Sequence, residues 1–352
     1  MDDPMPRDVA ARPPDMHDVA LLAGVSHQTV SRVLNQHPNV RTETRARVVA
    51  AIATLGYRRN SAARTLVTQR SSTIGIITSG STLWGPSSAL IAVERAARAA
   101  GYFVSVASLV STEPALVAEA LAYFHGQSVE GIVVIAPEAA LAHAADPLPG
   151  EVPVVLVSAD IEPSAGVRIT SVDQEAGARL ATCHLIGLGH RSIVHIAGPL
   201  PWFDAAARQR GWEAELRSAG LRVVAPVVGD WTAASGYEAG QKLLGGRMPT
   251  AVFASNDLMA LGLIRALHDA GVDVPGDVSV VGFDDIPGAA HFIPGLTTVR
   301  QDFDALGRQC IDILLGALAG EADDSKAICP TLIVRESSSR HRARRRRSTV
   351  DR

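Results

Sequence analysis

The sequence predicts an α/β protein: an N-terminal three-helix head containing a helix-turn-helix, a short connecting helix, and a body of two doubly wound parallel-sheet lobes. Three observations lead there. At 352 residues the chain exceeds one ordinary domain. From Thr73 onward, β-branched runs alternate with amphipathic helical stretches, the pattern of parallel strands covered on both faces. The charge is also divided by region. Residues 16–70 carry eight arginines against Asp18 and Glu43, a balance of +6, whereas residues 71–334 hold 15 basic and 28 acidic residues, a balance of −13. A basic head on an acidic body fits a head that alone meets a polyanion.

The head begins after a polar, Pro-rich stretch, residues 1–14, expected to be disordered. Asp15 can cap a first helix carrying Val19, Leu22 and Ala23 on one side. Gly24 permits a tight turn, and Ser26 can cap a second helix with Val30, Val33 and Leu34 facing inward. After a loop with Pro38, Val48, Ile52 and Leu55 mark a third helix that Gly56 stops. Residues 15–59 thus form the head. Residues 60–70 follow as hinge helix and linker. The helical segment of that stretch is about two turns long, too short to persist without a partner.

In the body, TIGIIT, YFVSVAS, GIVVIA, PVVLVS, SIVHIA, AVFAS and VSVVGF read as strands. Ala89–Ala100, Glu175–Leu188, Ala205–Ala219 and Leu258–Ala270 read as helices between them. About ten strands over some 260 residues exceed one doubly wound unit, so two lobes are expected. Lobe 1 takes residues 71–170 plus 302–333, and lobe 2 takes 171–301, within a body spanning 71–336. Residues 337–352 read as an Arg-rich disordered tail. A ligand should sit in the cleft at the carboxyl ends of the strands, where Ser158, Asn256, Asp257, Asp284 and Asp285 fall.

Two constellations carry chemistry. In GVSHQTVSRVLN, residues His27, Gln28, Thr29, Ser31, Arg32 and Asn35 can face outward while the valines face in. Glutamine can read an adenine edge and arginine a guanine edge, each with two hydrogen bonds, as a recognition helix in a major groove requires. The second constellation is the cleft. A site for a polyhydroxylated ligand needs charged or amide groups that make paired hydrogen bonds and an aromatic ring against its apolar face. Asn256 or Asp257 could instead cap the following helix, Asp284 a turn, and Arg208 could be a surface charge.

DVALLAGVSHQTVSRVLNQHPNV followed by TRARVVAAIATLGYRRN resembles the DNA-binding head of the lactose-repressor (LacI/GalR) family. GLGHRSIVHIAGPL, RQRGWEAEL, GDWTAASGY, PTAVFASNDLMALGLIRAL, DVSVVGFDD and IPGLTTVRQDFDALG resemble that family's effector-binding body, closest to its lactose-responsive members. The resemblance covers about Asp15 to Glu336. It implies a bilobed, periplasmic-binding-protein-like body and a homodimer on a near-palindromic DNA operator. It also implies a repressor of sugar-utilisation genes that a small-molecule effector, expected to be a sugar such as a galactoside, releases from DNA. Asn60, Ala63 and Leu66 fall on hinge-helix positions, with Leu66 where an apolar wedge enters the minor groove. Arg59 stands where the family often has proline. Arg208, Asn256 and Asp284 match the family's hydroxyl-binding triad, Trp231 its aromatic platform, and Gln301 and Ser87 its supporting contacts. Ser158 occupies a position where a lactose-responsive member carries a carboxylate, with Asp160 two residues later. A corepressor or a non-sugar effector would suit the same fold.

Other classes fit less well. A solute-binding protein would explain the body but not the head. GLGHRS lacks the last glycine of a dinucleotide loop and precedes a strand instead of following one. No nucleophile elbow, phosphate loop or zinc-protease motif occurs, so neither catalysis nor a cofactor is expected. His184, His190 and His195 have no metal-ligand spacing. Three cysteines without a C-x-x-C pair, no apolar run of membrane-spanning length and no signal-peptide core imply a reduced, cytoplasmic protein that joins the nucleoid when bound to its operator. No leucine heptads follow Val334, which favours a dimer over a tetramer. RHRARRRR reads as a solvated tail able to add salt-sensitive phosphate attraction.

Overall fold

The computed structural model describes residues 12, 14–35, 37–57, 70–144, 152–159, 167–322 and 326–341. The chain divides into two compact units between Ser71 and Ser72.

In the first unit, α1 (Met16–Ala23), α2 (His27–Leu34) and α3 (Thr42–Leu55) enclose a small core of Val19, Ala20, Ala23, Val30, Val33, Val48, Ala51 and Tyr57. The Asp15 side chain accepts from the His17 and Asp18 backbone N–H groups, and Asp18 returns a bond to the Asp15 N–H. Gly24, at φ 63°, ends α1 in a left-handed turn that a side chain would strain. Leu22, expected inside, is exposed, and Ala20 is buried in its place. The buried face of α1 is Val19, Ala20 and Ala23, which turns Leu22 outward. Ser26 caps α2 by accepting from the Thr29 N–H. Ser26→Ala should cost the head about 1 kcal/mol. Amide hydrogen exchange over residues 27–34 in the full chain should accelerate by roughly fivefold, and unchanged protection would count against the cap.

The second unit contains two sheets. The first has the order β2-β1-β3-β4-β5, formed by β1 (Thr73–Thr78), β2 (Phe103–Ser108), β3 (Gly131–Ile135), β4 (Val154–Val157) and β5 (Val167–Thr170), all parallel. The second has the order β11-β10-β9-β8-β6-β7, from β6 (Ile193–Ala197), β7 (Val227–Val228), β8 (Ala251–Ala254), β9 (Ser279–Asp284), β10 (Thr297–Arg300) and β11 (Thr331–Ile333). Read from β6, the parallel strands of the second sheet repeat the order of the first, so each lobe reverses direction beside its first strand, where ligands collect in open α/β sheets. Helices α4 (Trp84–Ala99), α5 (Pro114–Gly126) and α6 (Ala139–Ala144) connect strands of the first sheet. Helices α7 (Gln174–Gly187), α8 (Phe203–Ser218), α9 (Ala233–Leu244) and α10 (Asp257–Asp269) serve the second. The chain then returns to lobe 1 as α11 (Phe303–Leu318), whose Leu306, Cys310 and Leu314 pack with Ile74, Val93 and Val133.

Two expectations about the C-terminal part need correction. Residues 331–333, assigned to lobe 1, instead form β11, antiparallel to β10 at the edge of the second sheet. Residues 337–341, assigned to the disordered tail, are held against lobe 2. The Val280 N–H donates to the Ser337 carbonyl (2.8 Å), the Ser337 hydroxyl donates to the Val280 carbonyl (2.6 Å), and the His341 N–H donates to the Leu188 carbonyl (2.9 Å). Short serine side chains satisfy sheet-edge groups that a larger residue would cover, and Ser337 is fully buried. The arginine run beyond His341 lies outside the described residues, as do Asn60, Ala63, Leu66 and Asp160.

Candidate DNA-reading helix and effector cleft

On the head, α2 presents His27, Gln28, Arg32 and Asn35 to solvent, with Ser31 half-buried beside them. Thr29 is half-buried, and its hydroxyl lies 2.9 Å from Ser26 Oγ, within the helix cap. Val30 and Val33 anchor the opposite side in the core. The polar face expected from the sequence therefore exists, with Thr29 partly committed to local structure.

In the body, four polar side chains from separate segments meet. Arg208, on α8, is 3% exposed, and its guanidinium lies 3.8 Å over the Phe283 ring. Its Nε donates to Gln174 Oε1 (2.9 Å) and its Nη1 to the Ser255 carbonyl (2.5 Å). Gln174 Nε2 donates to Gln301 Oε1 (2.8 Å), and Gln301 Nε2 donates to Asp284 Oδ1 (2.7 Å). Asp284 Oδ1 faces Arg208 Nη2 at 3.6 Å, closing the ring, and Asp204 Oδ2 faces the same nitrogen at 3.8 Å. Both separations are ion pairs longer than a hydrogen bond, so Nη2 keeps donor capacity and the carboxylates keep acceptor capacity toward a third group.

Burial sets the electrostatics. Asp284 is pushed up to about 6 by desolvation, against the pull of Arg208 and the hydrogen bond from Gln301. Asp204 also rises through burial, opposed by Arg208. Asp257 is raised well above the usual carboxylate range, first by burial and then by the charge of Asp284. It accepts from the Ile286 N–H (2.8 Å) and the Thr298 hydroxyl (2.5 Å), which fixes the loop carrying Asp284.

Trp231 lies near Arg208, its ring centre 5.6 Å from the guanidinium carbon. It is buried, sits at φ 76°, meets Trp202 edge-on at 5.4 Å, and its Nε1 makes no hydrogen bond within the described residues. Asp284 is also left-handed, at φ 108°. Such backbone strain in non-glycine residues persists where surrounding structure holds it, often at binding sites. The ring lies flat on Gly198, where an added Cβ would stand 2.3 Å from Trp231 Cη2, so glycine is required there. Asn256 caps α10 by accepting from the Met259 N–H (2.9 Å) and donates Nδ2 to the Trp231 carbonyl (3.0 Å). The capping alternative is thus realised, and through it Asn256 holds Trp231.

Between the lobes lies a cavity of about 50 Å³, lined by Gly85, Pro86, Ser158, Gln174, Asp204 and Gln301 among others. Ser158 is buried on its wall. Ser87 does not join them: its hydroxyl donates to the Ser81 carbonyl (3.1 Å), while its neighbours line the cavity. Beneath Arg208, fully buried His195 stacks between Trp212 and Phe253. Its Nδ1 donates to the Phe253 carbonyl (3.0 Å), and Nε2 lies 3.2 Å from Ser255 Oγ. Burial lowers this histidine to about 4, so it is neutral near pH 7. The sequence alone gives no sign that Gln174, Asp204, Ser255 and His195 come together here. Nothing in one dimension marks them, because each acquires its role only when three strand ends converge.

Among the described residues, no group of three or more histidines, cysteines or carboxylates could hold a metal ion, and no helix is long and apolar enough to cross a membrane. The model of bacterial regulatory proteins of the lacI family matches residues 15–60, and that of the periplasmic binding protein-like domain matches residues 182–338. The lactose operon repressor of Escherichia coli (strain K12) is 35% identical over 330 residues, covering 93% of this chain and 91% of the relative. The HTH-type transcriptional regulator CelR of Thermobifida fusca is 36% identical over 345 residues, covering 93% and 98%. Among solved structures, the lac repressor dimer bound to operator and the anti-inducer ONPF matches with TM-score 0.79 at 35% identity, over 93% of this chain and 100% of that one. The transcriptional regulator CelR–cellobiose complex matches with TM-score 0.68 at 32% identity, over 92% and 100%. With a reading head, two like-wound lobes and whole-length relatives that regulate transcription, the chain belongs to the lacI family of bacterial regulatory proteins.

Proposed function

We propose that this protein is a homodimeric repressor that binds a palindromic operator through its heads and releases it when a sugar enters the cleft of the body. The arrangement around Arg208 carries the sugar reading. Gln174, Gln301 and Asp204 line the cavity, Arg208 and Asp284 join them through hydrogen bonds and ion pairs, and the Trp231 ring centre lies 5.6 Å from the Arg208 guanidinium; such ring-plus-paired-donor chemistry is what a polyhydroxylated ligand needs. The relatives bound to operator and to cellobiose support both halves of this reading.

His27, Gln28, Ser31, Arg32 and Asn35 would meet base edges and phosphates, with Thr29 shaping the start of their helix. Asn60, Ala63 and Leu66 would pair with their symmetry mates in the minor groove. Arg208, Asp284, Gln301, Trp231 and Ser158 would meet the effector, and Asn256 and Ser87 would support them. The protein would act in the cytoplasm and on the nucleoid, without catalysis. Coupling between effector and operator in such regulators is about 1–3 kcal/mol.

The test is operator binding to the full-length protein across a salt series, with and without lactose, cellobiose and their monosaccharides. We expect log affinity to fall steeply and linearly with log salt, a preference for a palindrome, and weakening by at least one sugar. A shallow salt slope with no palindrome preference would reject the regulator reading; a steep slope untouched by every sugar would reject the sugar.

A further inference from the structure

We propose that Gln174 is a positioning residue of the effector site: it fixes the direction of a one-way chain of hydrogen-bond donors that runs from Arg208 to Asp284. This rests on the reading of the cleft as the effector site.

The direction follows from the partners. A guanidinium can only donate, so Gln174 must turn Oε1 toward Arg208 Nε, 2.9 Å away. Its Nε2 is then committed to Gln301, which must present Oε1 at 2.8 Å. Gln301 is left with Nε2 facing Asp284 Oδ1 at 2.7 Å. Each amide has one consistent orientation. Gln174 is 5% exposed and Gln301 6%, so water does not readily substitute for either. An effector therefore meets Arg208 Nη2 as a fixed donor and Asp284 as a fixed acceptor. It must accept at one point and donate at the next, which a pair of neighbouring hydroxyls does.

Gln174→Glu and Gln174→Met separate this role from simple packing. Glutamate can still accept from Arg208 but cannot donate to Gln301 while ionised. Gln301 must then either lose its partner or turn over and present Oε1 to Asp284, an acceptor facing an acceptor. A proton on the introduced carboxylate restores the chain in its original direction, whereas a proton on Asp284 would close it in reverse. The charged groups around Asp284 are Arg208 and Asp204 from α8 and Asp257 from α10, while neighbouring Asp285 is paired with Arg300 and Arg335. Position 174 shares the burial that pushes Asp284 up to about 6, which favours that proton in mild acid. Methionine keeps the length and removes every polar atom, so acid cannot rescue it.

The experiment measures binding of lactose, cellobiose and their monosaccharides to the full-length protein by calorimetry at pH 7.5 and 5.5, alongside thermal melting over the same range. We expect Q174E to bind at least ~10-fold more weakly than wild type at pH 7.5 and to recover to within ~3-fold at pH 5.5. Q174M should stay weak at both. In melting, the deficit of Q174E relative to wild type should shrink toward pH 5.5, while that of Q174M should not. Equal pH responses of the two variants, or full sugar affinity in Q174M, would overturn the proposal. If no sugar binds wild type but the melting deficit of Q174E still shrinks with acid, the sugar reading falls and the donor chain stands.

Discussion

Replacing Arg208 with alanine leaves operator affinity within about twofold of wild type and lowers effector affinity by at least two orders of magnitude. The side chain donates to Gln174 and to the Ser255 carbonyl, lies over Phe283, and keeps Nη2 beside two carboxylates. Losing a buried, charge-assisted anchor of this kind typically costs about 2–5 kcal/mol of binding. The head has its own core, which Arg208 does not enter. Because removing a buried cation also strands Asp284, Arg208→Lys is the companion variant. It keeps the charge but cannot make the two-way fork, so it should fold with a near-normal melting temperature and still lose most of the effector response. Effector titration of operator-bound protein reads both. An Arg208→Lys protein that responds normally to sugar would remove arginine from the site.

The second large effect is structural. Helices α9 and α10 cross with backbone against backbone: a Cβ added at Gly262 would lie 1.8 Å from the Ala233 carbonyl oxygen, and one at Gly236 would lie 2.1 Å from that of Met259. Neither obstacle is a side-chain tip that could swing away. Gly262→Ala should cost the body about 3–5 kcal/mol and lower its melting transition by on the order of 10 °C. Because α9 begins just after Trp231 and Asn256 caps α10, the forced separation should also disturb the aromatic wall of the cleft. Calorimetry of the full-length protein checks this, with hydrogen exchange in α1–α3 as internal control. A melting temperature within about 2 °C of wild type would mean the helices part easily.

Local rules carried much of the fold in advance. Asp15, Gly24, Ser26 and Gly56 each do what capping and turn chemistry require, because those effects act within four residues. The β-branched runs also emerge as strands, since a strand buried on both faces needs little besides apolar side chains. What escaped is what depends on distant partners. A three-residue strand such as Thr331–Ile333 has too few side chains to reveal which sheet it joins, and Ser337–Ser339 look like linker until Val280, Thr297 and His184 are beside them. Leu22 shows the converse: its helical spacing suggests an interior position, but α1 turns Val19, Ala20 and Ala23 to the core and leaves Leu22 outside. In the cleft, Arg208, Asp284 and Gln301 were legible through motif resemblance, and the structure brings them together. Gln174 carries no motif, and its role follows from two bonds spanning 34 and 127 residues.

The edge strand at Thr331–Ile333 and the serines after it complete lobe 2 with residues the ribosome adds long after the head. The three helices of the head are fully synthesised about 270 residues sooner and need nothing downstream for their core. Domains tend to fold as they emerge, N-terminal first. Each newly made molecule therefore completes the core of its reading head well before lobe 2 is whole, and a message truncated just ahead of this strand would yield a folded head joined to a body that lacks its edge.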